Sequence, residues 1–215
     1  MTNIIDSIYL ESPYKNFDAS KYKLDLQTWT NNDPVYKKTI RELKPSIIIE
    51  VGVWKGGTSI KWAQFVKEFK LNTKIICVDT FLGSSPHWTR RGQEFLDLNL
   101  KNGYPTLYYQ FLANVVHSKC QDIIIPIPNT SIAAYEILKK VEIMADLIFI
   151  DAGHDYDSCY LDIKYFLDLL NINGKMFGHD WNTPSVKKAV AQFENRDDIK
   201  ISEHNEVVWL IEKIK

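Results

Sequence analysis

The run Ser46-Ile47-Ile48-Ile49-Glu50-Val51 leads straight into Gly52-Val53-Trp54-Lys55-Gly56-Gly57-Thr58-Ser59, and the fold is decided at this junction. A short, nearly all-apolar, β-branched run is the pattern of a strand covered on both faces. The glycine-rich turn after it opens a helix whose apolar stripe is Trp62, Ala63, Val66 and Phe69. The same alternation then repeats. Further strand-like runs are Lys74–Val78, Asp122–Ile127, Asp146–Ile150 and Lys175–Gly178. Helical stripes fall between them: Leu107 to Val116 after Pro105, Cys159 to Leu170 after Asp151, and Val186 to Phe193 behind the Thr183–Pro184 start signal. Strands alternating with helices predict βαβ units on a parallel sheet.

The tail departs from that rhythm. Ile199–Ser202 and Val207–Ile211 are separated by too few residues for a helical crossover, so they are expected to pair antiparallel. The expectation is therefore an α/β, Rossmann-like, seven-stranded, mostly parallel sheet flanked by helices and closed by a C-terminal antiparallel hairpin. Residues 1–45 form an N-terminal extension with one helix from Asp33–Pro34 to Leu43, and residues 46–215 form the main domain. The long connection 80–104, rich in Trp, Arg and Gly, is expected to be functional rather than a spacer.

Composition narrows the partners. Across 215 residues, 26 Lys+Arg stand against 27 Asp+Glu, which speaks against nucleic acid or an anionic membrane as the main partner. No apolar run approaches the ~18 residues of a membrane span, and the N-terminus lacks the pattern of a secretory signal. Cys77, Cys120 and Cys159 show no close pairing, so neither a disulfide framework nor a cysteine zinc site is indicated. A cytoplasmic protein is expected. Oligomeric state is not legible.

The glycine loop excludes two familiar ligands. Gly52 and Gly57 have the spacing of a phosphate-binding P-loop, but Thr58 occupies the lysine position. Trp54 occupies the middle glycine of a dinucleotide fingerprint, which also counts against a nicotinamide-dependent oxidoreductase. What remains is E-x-G-x-x-x-G, with Glu50 at the strand end and a second acid, Asp79, ending the next strand, where a ribose diol is commonly held. Carboxylates there suit a cationic or hydroxyl-bearing ligand.

Two further strand ends carry Asp151-Ala152-Gly153-His154-Asp155 and His179-Asp180. In an open parallel sheet they face the same crevice, so Asp151, His179 and Asp180 are candidate ligands for one divalent cation. His154, with an ordinary pKa near 6.5, is a candidate general base. Asp155 is expected to be only a helix N-cap.

The ordered set EVGVWKGGTS, ICVDT and LIFIDAGHDYDSCYLDIKYFLDLLNINGKMFGHDW resembles the class I S-adenosylmethionine-dependent methyltransferases. Within them it is most similar to macrocin-type sugar O-methyltransferases and, more distantly, to catechol and caffeoyl-CoA O-methyltransferases. The resemblance spans residues 46–213 and makes 46–215 a cofactor-binding methyltransferase domain. It implies that Glu50, Gly52, Gly56 and Thr58 surround the amino-acid part of S-adenosylmethionine. It implies that Asp79 holds the ribose and that the turn with Thr130 and Ser131 lies at the adenine. Asp151 counts among the cofactor residues and as the first metal ligand, with His179 and Asp180 as the others for Mg²⁺ or Mn²⁺. His154 falls where the catechol branch has its catalytic lysine, and His179 replaces a usual carboxylate. The implied reaction is O-methylation of a sugar or other small-molecule hydroxyl, with Trp29, Trp88, Arg90 and Arg91 as candidate acceptor-side lid residues. A non-catalytic S-adenosylmethionine-binding subunit is the alternative.

Overall fold

Alternate residues of the first strand point to opposite faces of a sheet, and they sort the molecule into two cores. A computed structural model describes residues 4–29 and 34–215. In β1 (Ile47–Val51), Ile49 and Val51 enter a core shared with α7 (Ser131–Lys140), α8 (Tyr156–Asp168) and α9 (Pro184–Ala191). Ile48 enters the other, shared with α2 (Pro34–Leu43), α3 (Gly57–Glu68) and α6 (Leu107–His117). A three-layer sandwich results, its sheet buried on both faces, as the continuous apolar runs require.

The other strands are β2 (Lys74–Asp79), β3 (Ile124–Pro128), β4 (Ala145–Ile150), β5 (Leu170–Gly178), β6 (Ile199–Glu203) and β7 (Trp209–Lys213). Their order is β3-β2-β1-β4-β5-β7-β6. Pairing is parallel from β3 through β5, and β7 is antiparallel to both β5 and β6, so the expected closing hairpin is present. The direction of winding reverses between β1 and β4. That switch point is where open α/β sheets form their ligand crevice, outside the strand carboxyl ends.

Local chemistry moved some boundaries. β7 begins at Trp209 rather than Val207 because Asn205 Oδ1 accepts from the amides of Val207 and Val208, at 2.9 Å each, and holds them in the turn. β5 starts earlier than its apolar run, because Leu170 pairs with Ala145 ahead of a register shift through the polar Asn171–Gly174 stretch. The start of α2 lies next to Asp33, which falls outside the described residues.

The N-terminal extension is a strap laid over the open edge of the sheet. After α1 (Ile4–Ile8), the Tyr9 and Tyr14 hydroxyls donate to the Pro126 and Ile124 carbonyls of edge strand β3, at 2.6 and 3.0 Å. Pro126 suits that edge, since its missing N–H lies on the side that pairs with no strand. The strap then crosses α6, where Gln110 Nε2 donates to the Lys23 carbonyl, and reaches the glycine loop at residues 25–29. The connection 80–104 is also ordered. It contains α4 (Ser85–Thr89) and α5 (Gln93–Asp97), with Trp88, Phe95 and Leu98 packed on the α3/α6 core. Among the described residues, no helix is long and apolar enough to cross a membrane.

Candidate active site

The glycine loop turns so tightly because its glycines meet the protein's own chain. Gly52 has φ +87°, and a Cβ there would lie 2.0 Å from the Asp151 carbonyl oxygen. Gly56 has φ +82° and abuts Phe111, and a Cβ on Gly57 would lie 2.6 Å from the Leu26 carbonyl. The loop is thereby pressed against the end of β4. Gly52→Ala is expected to destabilise the fold by about 3 kcal/mol or more, at the upper end for single substitutions, since it adds a backbone clash to a left-handed φ. Chemical denaturation measures this, and a loss below 1 kcal/mol would mean the contact is easily relaxed.

Asp79 organises the same loop from β2. Its Oδ2 accepts from the amides of Val53 and Trp54 at 2.8 and 2.9 Å, and its Oδ1 accepts from Phe81 at 2.7 Å. Trp54 sits at φ +53°, a conformation uncommon for a bulky residue, and surrounding contacts hold it there.

Glu50 lies one layer deeper. On β1 it shares the α3 side with Ile48, is 2% exposed, and accepts a hydrogen bond from the Ser59 hydroxyl of α3. Burial pushes its carboxyl up to about 8; the Ser59 bond opposes this, and the charges of Asp151 and Asp79 add to it. Thr58, in the first turn of α3, places its hydroxyl 3.1 Å from that of Thr28 in the strap.

At the supposed adenine end, Thr130 is the N-cap of α7, its hydroxyl accepting from the Ala133 amide. Ser131 faces Asp162 of α8, a carboxyl that burial raises to about 6 against the opposing effect of the Ser131 hydroxyl. Both residues lie at the carboxyl end of β3, and both hold local structure.

Asp151, His154, His179 and Asp180 converge beside the loop. His154 Nε2 lies 3.0 Å from Asp180 Oδ2 and 3.8 Å from Asp151 Oδ1. His179 Nδ1 lies 3.1 Å from Asp180 Oδ2 and 3.9 Å from Asp151 Oδ1. β5 aims the second pair. Gly178 leaves room for the Trp209 ring, which a Cβ would meet at 1.9 Å, and the Trp209 indole donates to the His179 carbonyl. Asp155 is the N-cap of α8, accepting from the Ser158 amide, as expected.

One nitrogen and two oxygens, from His154, Asp151 and Asp180, lie within 4.8 Å of one another. The two carboxylates would hold a divalent cation of the Mn²⁺ or Fe²⁺ kind, with the imidazole beside it. The expected set had His179 in place of His154. In the structure His154 reaches over from the turn after β4, and His179 stands behind Asp180 as its hydrogen-bond partner.

The electrostatics also differ from an ordinary imidazole. Asp151 and Asp180 push His154 up to about 10 against the effect of burial, so at neutral pH the ring carries its proton. It would act as a base only where a bound group brought positive charge to those carboxylates. Burial disfavours the ionised form of Asp180, but hydrogen bonds from His154 and His179 outweigh it and hold the carboxyl well below its usual range. For His179, burial works against the charged ring, and Asp180 and Asp151 outweigh it.

Sequence reading missed three neighbours of this site. Lys55 is buried on the loop, Asn114 is buried on α6, and His87 packs its ring 4.7 Å from that of Trp54. Only the placement of Lys55 inside the glycine loop was a signal. Among the candidate lid residues, Trp29 stacks on His87 at 5.8 Å, whereas Trp88 is packed into the core side of the connection, its indole donating to the Leu82 carbonyl. Arg90 and Arg91 are exposed.

A sheet of this order, with a glycine loop after β1 and acids ending β2, β4 and β5, defines a Rossmann-like fold with its ligand crevice at the β1/β4 switch point. Residues 49–181, more than half of the chain, match the family described as "Methyltransferase domain", and the chain belongs to that family. Solved structures share the fold at low identity. The O-methyltransferase from Bacillus cereus, in complex with S-adenosylhomocysteine, is 10% identical with a TM-score of 0.63, covering 88% of this chain and 84% of its own. The S-adenosylhomocysteine-bound Podospora anserina methyltransferase PaMTH1 is 17% identical with a TM-score of 0.62, covering 89% and 81%. The O-methyltransferase TomG from Streptomyces achromogenes, involved in tomaymycin synthesis and in complex with S-adenosylmethionine, is 12% identical with a TM-score of 0.60, covering 89% and 83%. A search of curated proteins returned no match.

Proposed function

We propose that this protein transfers the methyl group of S-adenosylmethionine to a hydroxyl oxygen of a sugar or other small molecule, with a divalent cation assisting. The observation that carries this reading is the contact between the glycine loop and the Asp151–His154–Asp180 cluster, made at Gly52. A cofactor held along the loop and a hydroxyl held at the cluster would meet in one crevice. Family membership supports the transfer, and the cofactor complexes of the Bacillus cereus and Streptomyces achromogenes enzymes support the choice of donor.

Methyl transfer from a sulfonium is an in-line displacement, so the protein chiefly aligns the two reactants and excludes water. Asp79 is the candidate ribose acid, and the loop it braces is the candidate seat of the amino-acid end. Asp151 and Asp180 would hold the cation, which when bound supplies Lewis-acid polarisation of the acceptor hydroxyl. His154, lying against both acids, takes the acceptor proton at Nε2. Residues 25–29 and 80–104 cover the loop side. A sugar or vicinal diol as acceptor follows from the resemblance to macrocin-type enzymes.

The test is calorimetric titration of S-adenosylhomocysteine into wild type and Asp79→Asn, a change that keeps one acceptor oxygen for the loop amides. Micromolar binding by wild type, weakened at least tenfold by the substitution, is expected. No binding by folded wild type, with Mn²⁺ or with EDTA, would sink the reading.

A further inference from the structure

Three separate segments meet at one buried ammonium. Lys55 of the glycine loop is 3% exposed, and its Nζ lies 2.6 Å from Asp25 Oδ2 and 3.0 Å from Asp97 Oδ2. Asp25 belongs to the N-terminal strap, and Asp97 ends α5 in the connection 80–104. Asn114 of α6 completes the node. Its Nδ2 donates to the Asp25 carbonyl at 2.6 Å and to the Lys55 carbonyl at 2.8 Å, and its Oδ1 accepts from the Asp25 amide at 3.0 Å.

The next residue, Trp54, joins the same two segments again. Its indole donates to Gln27 of the strap at 2.6 Å. Its ring packs against Trp29 of the strap at 5.3 Å and against His87 of α4 at 4.7 Å. A cation this deeply buried is costly unless paired, and a well-packed apolar side chain would often serve stability as well. Methyl transfer as derived above makes no use of Lys55.

We infer that Lys55 is a positioning residue that makes the strap (residues 20–29) and the connection (residues 85–97) open and close over the glycine loop as one unit. The coupling is electrostatic. Both carboxylates are compensated by the same ammonium, so when either segment lifts, water reaches Lys55 and weakens its pair with the other. Without the ammonium, the two acids face each other and repel. The inference rests on the proposed function only for what is covered; the linkage itself stands on the contacts.

Hydrogen exchange of the full chain, followed by mass spectrometry, tests it. Lys55→Met is expected to speed exchange at least tenfold in peptides from both 20–29 and 85–97, with β1 and β4 peptides unchanged. Lys55→Arg should restore protection in both. Acceleration of one segment alone, or of neither, would overturn the inference. Should Lys55→Met lose β1 and β4 protection altogether, Asp97→Ala replaces it. That change should speed exchange in the strap, and an effect confined to 85–97 would overturn the inference equally. Adding S-adenosylhomocysteine to wild type should slow both segments together. If both respond to Lys55→Met and neither responds to this ligand, the linkage stands and the cofactor reading falls.

Discussion

Asp180→Ala should abolish divalent-cation binding and slow methyl transfer by about 10²- to 10⁴-fold, the range associated with losing acid–base function at a reacting oxygen. Asp180 is the acid on which the cluster turns, since both His154 and His179 bond to its Oδ2, at 3.0 and 3.1 Å. Its removal deletes one of the two carboxylates proposed to hold the cation and releases two imidazoles. Titration with Mn²⁺ by calorimetry, alongside release of S-adenosylhomocysteine from a panel of hydroxylated acceptors, measures both effects. His154→Ala separates the roles. It should retain cation binding while losing transfer, because its proposed task is the proton. Full transfer by Asp180→Ala, unaffected by EDTA, would show that the acids serve structure alone.

The same substitution has a signed effect on stability. Asp180 is depressed in the fold, so its contribution is present above the ordinary carboxylate range. His154 is raised from 6.5 to about 10, so its contribution is complete below 6.5 and lost as pH rises through about 10. Destabilisation by Asp180→Ala should therefore be greatest between about pH 4 and 6.5 and fade toward pH 10.

Glu50→Gln is expected to change the pH dependence of stability between about pH 4.5 and 8. A carboxyl at about 8 in the fold and 4.5 as its ordinary value takes up a proton on folding across that interval. Stability due to Glu50 is thus highest below pH 4.5 and declines until pH 8. The decline amounts to on the order of 3 kcal/mol by pH 7, at about 1.4 kcal/mol per pH unit. Glutamine mimics the protonated acid and still accepts from Ser59, so the difference between variant and wild type should be flat at low pH and grow in favour of the variant up to pH 8. Chemical denaturation at several pH values measures that difference. A pH-independent difference would mean that Glu50 is ionised in the fold, paired with a charge that the strand and helix contacts do not reveal.

The order of elements was legible because burial on both faces forces continuous β-branched runs, and crossover helices force apolar stripes between them. The closing hairpin was legible from the shortness of its connection. α7 was not read, although Thr130 as a cap, Ala134, Tyr135 and Leu138 on one face, and Lys139–Lys140 at the end mark it; the tract merges with the turn after β3. The β7 start was misplaced because Val207 and Val208 have strand propensity, and only the Asn205 side chain assigns them to the turn.

At the site, the sequence by itself determined which chemistry-bearing residues end the strands: Glu50, Asp79, Asp151, His154, His179 and Asp180. Spacing along the chain is enough for that, since parallel strands bring their carboxyl ends to one side. Only the tertiary structure decided how these residues are used. The pleat of β1 turned Glu50 inward to Ser59, and the turn after β4 carried His154 onto Asp180. The strap and the connection met at Lys55. Each outcome depends on side-chain direction and on contacts between segments far apart in the chain, and both are set by packing against neighbours that no local pattern contains.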